Sequence, residues 1–444
     1  MTDSIPRSLQ YGCSSSQARV VRNTVQPQGT SNGTTQQQTT FRFKLPEKSL
    51  IDLRSLAFYY DYTVSGLTDA ATNYSNAYIP ASYKHFSSVK FYVSGAIAAN
   101  GQANHYDQAY HALVRASGSE DWVNSRLNNG NSEIMNAGDA VGAQDISAQP
   151  NGYTTRAAHV VFEDILGLPN SKNHVIDTSL FGTVEVELTM APNSSIKAFR
   201  AGTVTNGNLA ASLLGTISGI KCMVDTVVSI SPLYVSLLAE RLQVQDMPIR
   251  VPFQNISTQV MSNTGSNRFS LNSSCVDAII VCPMASDPQT FTAVADNNVL
   301  NNTRYAFNSG RTVADANTGL FQIQVGSEVF PRQPIRIDEC SDLTTNSLYG
   351  NSARSANLLF LGLAGGVPVY NRLNYLTNNA VIVQKFQLGE ESWSTGLLTG
   401  LNTSGTSVDF VIQTSNLGSH LFVCALMTSQ LVFNPANSSV SIEQ

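Results

Sequence analysis

Along most of this chain, hydrophobic residues recur at every second position. The clearest case is TVEVELTM, where Val184, Val186, Leu188 and Met190 share one parity and Glu185, Glu187 and Thr189 the other. Strict alternation marks a strand with one buried and one wet face, typically in an antiparallel sheet. The same alternation starts at Phe41 in FRFKL, runs through Leu56, Phe58, Tyr60 and Tyr62 until Ser65-Gly66 is predicted to break it, and governs Val89, Phe91 and Val93 before Gly95. It returns at Ile220, Cys222, Val224, Val228 and Ile230, with Lys221 and Asp225 opposite. There the period changes. Ser231 suits an N-cap and Pro232 a first helical position. Tyr234, Leu237, Leu238, Arg241 and Leu242 then fall on one helical face. A long strand running into a short helix is predicted near the middle of the chain. An earlier helix is predicted where Asn104 precedes a stripe of Tyr106, Ala109, Tyr110, Leu113 and Val114.

The second half repeats this order of patterns. RFSL at Arg268 echoes RFKL at Arg42, Ala278 to Cys282 echoes Leu56 to Tyr60, and Phe321, Ile323 and Val325 echo Val89, Phe91 and Val93. SVDFVIQT from Ser407 echoes TVEVELTM, and Leu421 to Phe433 echoes Ile220 to Ile230. Order recurs although identity is slight, which predicts a structural duplication. Polar stretches at 117–151 and 284–318, and a mixed stretch at 344–379, are predicted excursions from the β-scaffold. Residues 1–38 offer little to bury and read as an extended arm. The division expected is an arm at 1–38, a first β-domain at 39–230, a linker helix at 231–245 and a second β-domain at 246–444.

Composition sharpens this picture. A chain of 444 residues exceeds what one hydrophobic core usually serves, which agrees with two domains. Only 13% of residues are charged, so Asn, Ser, Thr and Gln must cover the surface. Charge depletion fits surfaces that meet other protein surfaces; a secreted β-protein is the competing reading. A net charge of −5 weighs against coating nucleic acid, and Arg7, Arg19 and Arg22 in the arm read as solvated. The six cysteines, Cys13, Cys222, Cys275, Cys282, Cys340 and Cys424, show no zinc-type spacing and read as reduced thiols in a reducing compartment. The N-terminus lacks the apolar run of a signal peptide, and the apolar stretch 356–370 is too short and Gly-rich to span a membrane.

No catalytic, cofactor-binding or metal-ligating residue is assigned. His85, His105, His111, His159, His174 and His420 show no paired helical spacing, and His159 in its apolar run reads as a core residue. Glu185 and Glu187 have the spacing of paired carboxylates, but alternation makes them the wet face of a strand. Glu390 and Glu391 beside Trp393 read as a solvated turn. The Asn-X-Ser/Thr sites at Asn73, Asn193, Asn255, Asn272 and Asn402 read as by-products of an Asn-rich surface. Tyr59, Tyr60, Tyr62 and Tyr92 are not interleaved with basic residues, unlike a nucleic-acid stacking platform.

The ordered run of FRFKLPEKSLIDLRSLAFYYDY, SSVKFYVSG, YDQAYHALV, IDTSLFGTVEVELTMA, ISGIKCMVDTVVSISPLYVSLLAERL and GLNTSGTSVDFVIQT resembles the double jelly-roll major capsid proteins, most closely those of polinton-like viruses and virophages. The resemblance covers roughly residues 40 to 440. It implies an all-β fold of two tandem eight-stranded antiparallel jelly-roll sandwiches with short helices in the connections. It further implies a non-catalytic subunit without cofactor or small-molecule substrate, forming pseudo-hexagonal homotrimers that tile an icosahedral virion shell. Partners implied are neighbouring capsomers, minor capsid and penton proteins, with the arm touching the inner face. The alternatives from other classes are a secreted carbohydrate-binding or glycoside-cleaving double β-sandwich, and a fibre or adhesin module.

Overall fold

The structure, a computed structural model, describes residues 19–67, 74–78, 82–117, 144–145, 153–163, 165–170, 174–195, 197–200, 214–227, 248–284, 320–336, 381–386, 400–404, 409–414, 418–436 and 439–443. Alternation becomes sheet as expected. In the first half, a six-stranded antiparallel sheet runs β1 (Val20–Val25), β13 (Leu214–Val227), β4 (Leu50–Leu67) and β10 (Val175–Asp177); β2 (Gly33–Thr34) also pairs with β13, and β9 (Tyr153–Phe162) with β4. Facing it, a four-stranded sheet runs β3 (Thr40–Lys44), β11 (Val184–Met190), β6 (Phe86–Val93) and β7 (Ala96–Ala99). Val184, Val186, Leu188 and Met190 of β11 are buried and the residues between them are not. A small third sheet joins β12 (Lys197–Arg200), β5 (Tyr74–Tyr78) and β8 (Gln144–Asp145).

The second half has the same plan. Its five-stranded sheet runs β14 (Ile249–Ser262), β21 (His420–Asn434), β16 (Val276–Met284) and β19 (Ile382–Lys385), with β22 (Ser439–Glu443) also on β21. Its four-stranded sheet runs β15 (Ser266–Ser270), β20 (Asp409–Thr414), β17 (Leu320–Val325) and β18 (Glu328–Arg336). Taking the main strands of each half in order of appearance, the larger sheet holds the first, eighth, third and sixth, and the smaller the second, seventh, fourth and fifth. In the first half β9 and β10 share the sixth place. Each echo predicted from the sequence joins strands with the same place in the two halves.

Local chemistry fixes the registers. Ile217 and Ile220 stand three apart, yet both are fully buried. The β13–β4 register slips between Ser218 and Lys221, where Gly219 adopts φ +66 and opens a bulge. The Asn32 side chain accepts the Gly219 N–H at 3.0 Å and the Ser31 carbonyl accepts that of Ile220 at 3.1 Å. A second slip, between Met223 and Asp225, is filled by the Ser55 hydroxyl, which accepts the Asp225 N–H at 2.7 Å. Ser94 and Gly95, both at positive φ, form the two-residue hairpin loop joining β6 to β7, the left-handed pair such turns require. Asp177 caps α2 (Thr178–Phe181) by accepting the Ser179 N–H.

Two expectations change. Residues 20–25 belong to β1 rather than to a free arm. VVRNTV suits a strand but buries little, so the burial criterion misses it; the β13 ladder holds it, helped by Arg22 on Asp225 at 2.9 Å and Asn23 on Thr226 at 2.7 Å. Ser65 and Gly66 do not end their strand, because pairing with β9 carries it to Leu67. The linker helix at 231–245 and most of the three excursions lie outside the described residues.

Candidate functional site

The candidate site is the junction where the two sandwiches meet, and it is built from both halves. Helix α1 (Tyr106–Ser117) forms as the stripe predicts, but it is not amphipathic in the expected sense. From Tyr106 to Leu113 every side chain is buried, including Asp107, Gln108 and His111. One side joins the first core through Tyr106 and Tyr110. The other side, with Ala103, Ala109, Ala112 and Leu113, packs on the outer face of the second half's larger sheet, against Ile256, Ala278, Ile280, Cys282, Phe422, Cys424 and Leu426. The inner face of that sheet, with Ile279, Val281, Leu421, Val423 and Ala425, meets Phe321, Ile323, Phe410 and Ile412 of its own sandwich. The sheet is therefore apolar on both faces.

Below α1 the halves are clasped by polar contacts. The Asn100 N–H donates to Asn255 Oδ1 at 2.8 Å, and Asn100 Nδ2 donates to the Leu166 carbonyl at 2.8 Å. Gln102 bridges Ser257 in parallel, and the Thr258 N–H donates to the Gln102 carbonyl. Further along, Ile249, Val251 and Phe253 of β14 and Leu431 and Phe433 of β21 enter the first core, with Phe181 edge-on to Phe433 at 6.1 Å. Buried backbone polar groups require partners, and residues 100–102, between β7 and α1, find them across the junction.

Among the described residues, the histidines and paired carboxylates weighed for chemistry in the sequence have structural partners. Arg42 pairs with Glu185 at 2.7 Å and lies over the Tyr92 ring, whose hydroxyl donates to Glu187 at 3.4 Å. The two carboxylates thus belong to the exposed face of a sheet. His85 stacks on Tyr62 with ring centres 3.8 Å apart and bonds the Tyr60 hydroxyl at 2.8 Å. His111 bonds Tyr83 at 3.0 Å, His105 stands edge-on to Phe422, and His174 lies 3.4 Å from Asp52. His420 bonds Ser419 at 3.0 Å. The side chain of His159, on β9, lies outside the described residues, as do Glu390, Glu391 and Trp393. Burial pushes the Cys222, Cys282 and Cys424 thiols up, so they stay protonated and unreactive. Asn255 is buried in the clasp, whereas Asn272 and Asn402 are exposed. Among the described residues, no group of three or more His, Cys, Asp or Glu side chains converges.

What the sequence reading passed over is the junction itself. Its signal was present: VDAIIVCPM and LFVCALM are continuous apolar runs, not alternating ones, and such runs mark strands covered on both faces.

No family model and no curated protein matches the sequence. Solved structures do. The chain is similar to the Faustovirus major capsid protein, with a TM-score of 0.55 at 10% identity, over 94% of this chain and 90% of that one. It is also similar to a chain in the cryo-EM structure of the Sputnik virophage, with a TM-score of 0.52 at 13% identity, over 96% and 88%. The chain has the double jelly-roll fold. In this double jelly roll the likeness extends across both sandwiches, since it spans nearly the whole chain. The two jelly rolls are unequal partners: α1 of the first covers the outer sheet face of the second.

Proposed function

We propose that this chain is a structural major capsid subunit, which acts by assembly rather than by catalysis. The observation that carries the reading is the repeated strand order: one chain presents two side-by-side jelly rolls of the same plan. Three copies supply six similar sandwiches, enough to build a pseudo-hexagonal capsomer that tiles an icosahedral shell. Jelly rolls suit such tiling because two facing sheets leave few open strand edges. Low surface charge supports the same reading, since flanks that meet protein are depleted of charge. The division we adopt is a first jelly roll ending near residue 230, a linker at 231–245 and a second jelly roll from 246, with the arm limited to residues before Val20. In this reading the arm contacts the shell's inner face, minor capsid and penton proteins are further partners, and the protein resides in the virion after folding in a reducing compartment.

Light scattering on the purified protein at micromolar concentration tests this. The expected mass is three times 47.8 kDa, as expected for interfaces of the obligate class, above about 2,000 Å². A well-folded chain that stays monomeric contradicts it. For the carbohydrate-active alternative, Glu185 and Glu187 stand on one strand and are held by Arg42 and Tyr92, which supports their reading as a sheet face; a glycan array is expected to be blank.

A further inference from the structure

A buried polar seam joins β4 of the first jelly roll to helix α1, and the strand plan does not require it. It is centred on a short 3-10 turn, Ser82–His85, in which Tyr83, Lys84 and His85 are all buried. His85 ties the turn to the sheet. Its Nδ1 lies 2.8 Å from the Tyr60 hydroxyl, and its ring stacks on Tyr62 with centres 3.8 Å apart. Tyr83 ties the turn to the helix. Its hydroxyl lies 3.0 Å from His111 Nδ1, and its ring stacks on Tyr110 with centres 4.9 Å apart. Each of these two histidines is only 1% exposed. The same device, a buried imidazole joined to a tyrosine hydroxyl, thus occurs on both attachments of one turn.

We infer that this seam is an acid-sensitive clamp: protonation of His85 and His111 loosens the turn and, with it, the hold of α1. A neutral imidazole has one donor and one acceptor nitrogen in either tautomer, whereas the cation has two donors and no acceptor. A tyrosine–histidine bond can reverse, but the phenol proton must then find another acceptor inside the protein. The added charge also enters a space closed to water, where a charge is costly. The groups around the turn do not invite two more cations. Lys84, 2% exposed, already lies with Nζ 5.7 Å from the Tyr83 ring centre. Asp107, one helical turn before His111, is the single carboxylate in the turn and α1 together, against Lys84, His85 and His111. Also on the helix side are the phenols of Tyr106 and Tyr110, while His105 stands against Phe422. Tyr60 and Tyr62 are the phenols on β4, and Asp61 between them belongs to the strand's other face. Strand β6 brings Ser87, Ser88 and the half-exposed Lys90; on β9, Val160 and Phe162 are uncharged and Glu163 is exposed. Proton counting gives the sign. Below the ordinary histidine range, about pH 6.5, the unfolded chain takes up protons that the clamp resists, so stability is complete above that range and falls as pH drops through it. The consequence reaches the second jelly roll, because α1 covers the outer face of its larger sheet. A subunit built this way is closed at neutral pH and opens its junction in acid.

Hydrogen exchange of the full-length protein, read by mass spectrometry at pH 7.5 and pH 5.0 and corrected for intrinsic rates, tests this. Peptides covering residues 82–85 and 106–117 are expected to exchange at least about tenfold faster at pH 5.0, while those from β11 keep their rate. No acceleration in those peptides, or equal acceleration throughout both jelly rolls, overturns the inference, and neither result bears on the proposed assembly. A His85→Gln, His111→Gln variant cannot take up these protons and is expected to accelerate by less than about threefold. An acceleration equal to that of the wild type counts against the two histidines. Should the variant fail to fold, the wild-type exchange pattern decides.

Discussion

Gly219 shows how much one residue can set. Its φ of +66 permits the bulge that turns both Ile217 and Ile220 into the core. A β-branched residue there is strained, and Gly219→Val is expected to lower unfolding free energy by about 1–2 kcal/mol. Gly219→Asn should cost less, because Asn tolerates this conformation; denaturant titration of the two variants checks the order, and equal losses contradict it. The buried acids make a second prediction. Burial raises the Cys222, Cys282 and Cys424 thiols and the Tyr60 and Tyr62 phenols. A raised folded-state pKa means that folding favours the protonated form. That contribution is complete below the ordinary values, about 8.5 for a thiol and 10 for a phenol, and is lost as pH rises past them. Thermal melts should therefore fall steadily from about pH 8.5 upward. A Cys282→Val, Cys424→Val variant should decline less steeply; an identical decline refutes the assignment.

At the level of elements, α1 holds the junction. Ala109 and Ala112 are fully buried and face the second jelly roll. Ala112→Asp leaves an unpaired buried charge there, a change that costs on the order of 3–5 kcal/mol. Phe422→Ala, on the opposing sheet, should cost about 3–5 kcal/mol through the cavity it leaves. Both are read by chemical denaturation, and a loss under 1 kcal/mol from either means that the helix does not seal this face. Residues 246–444 produced alone should aggregate, because the apolar outer face of β16 and β21 loses its cover; a soluble, monomeric fragment contradicts that. The strands were legible wherever one face is wet, since alternation reports a single buried side. The junction was not read, because a strand buried on both sides loses its alternation. The polar back of α1, with Asp107, Gln108 and His111, looks solvated in sequence and is buried in fact. Strand β1 was missed for the converse reason: its ladder and the Arg22–Asp225 pair hold it while its side chains stay largely exposed.

Over the whole molecule, the order of patterns proved more informative than any motif. Nothing in FRFKL or SVDFVIQT names a function, yet their sequence of places, met twice, specifies two sandwiches of the same plan. The halves differ where they must: one outer sheet face is sealed inside the chain and its counterpart is left half-exposed. That asymmetry gives the two lobes of the chain different outer surfaces. Electron microscopy of the purified full-length protein tests this most directly. The account predicts particles of three chains with six lobes around a common axis, the lobes alternating between two kinds. Single two-lobed particles, or a ring in which like lobes meet like, would contradict it.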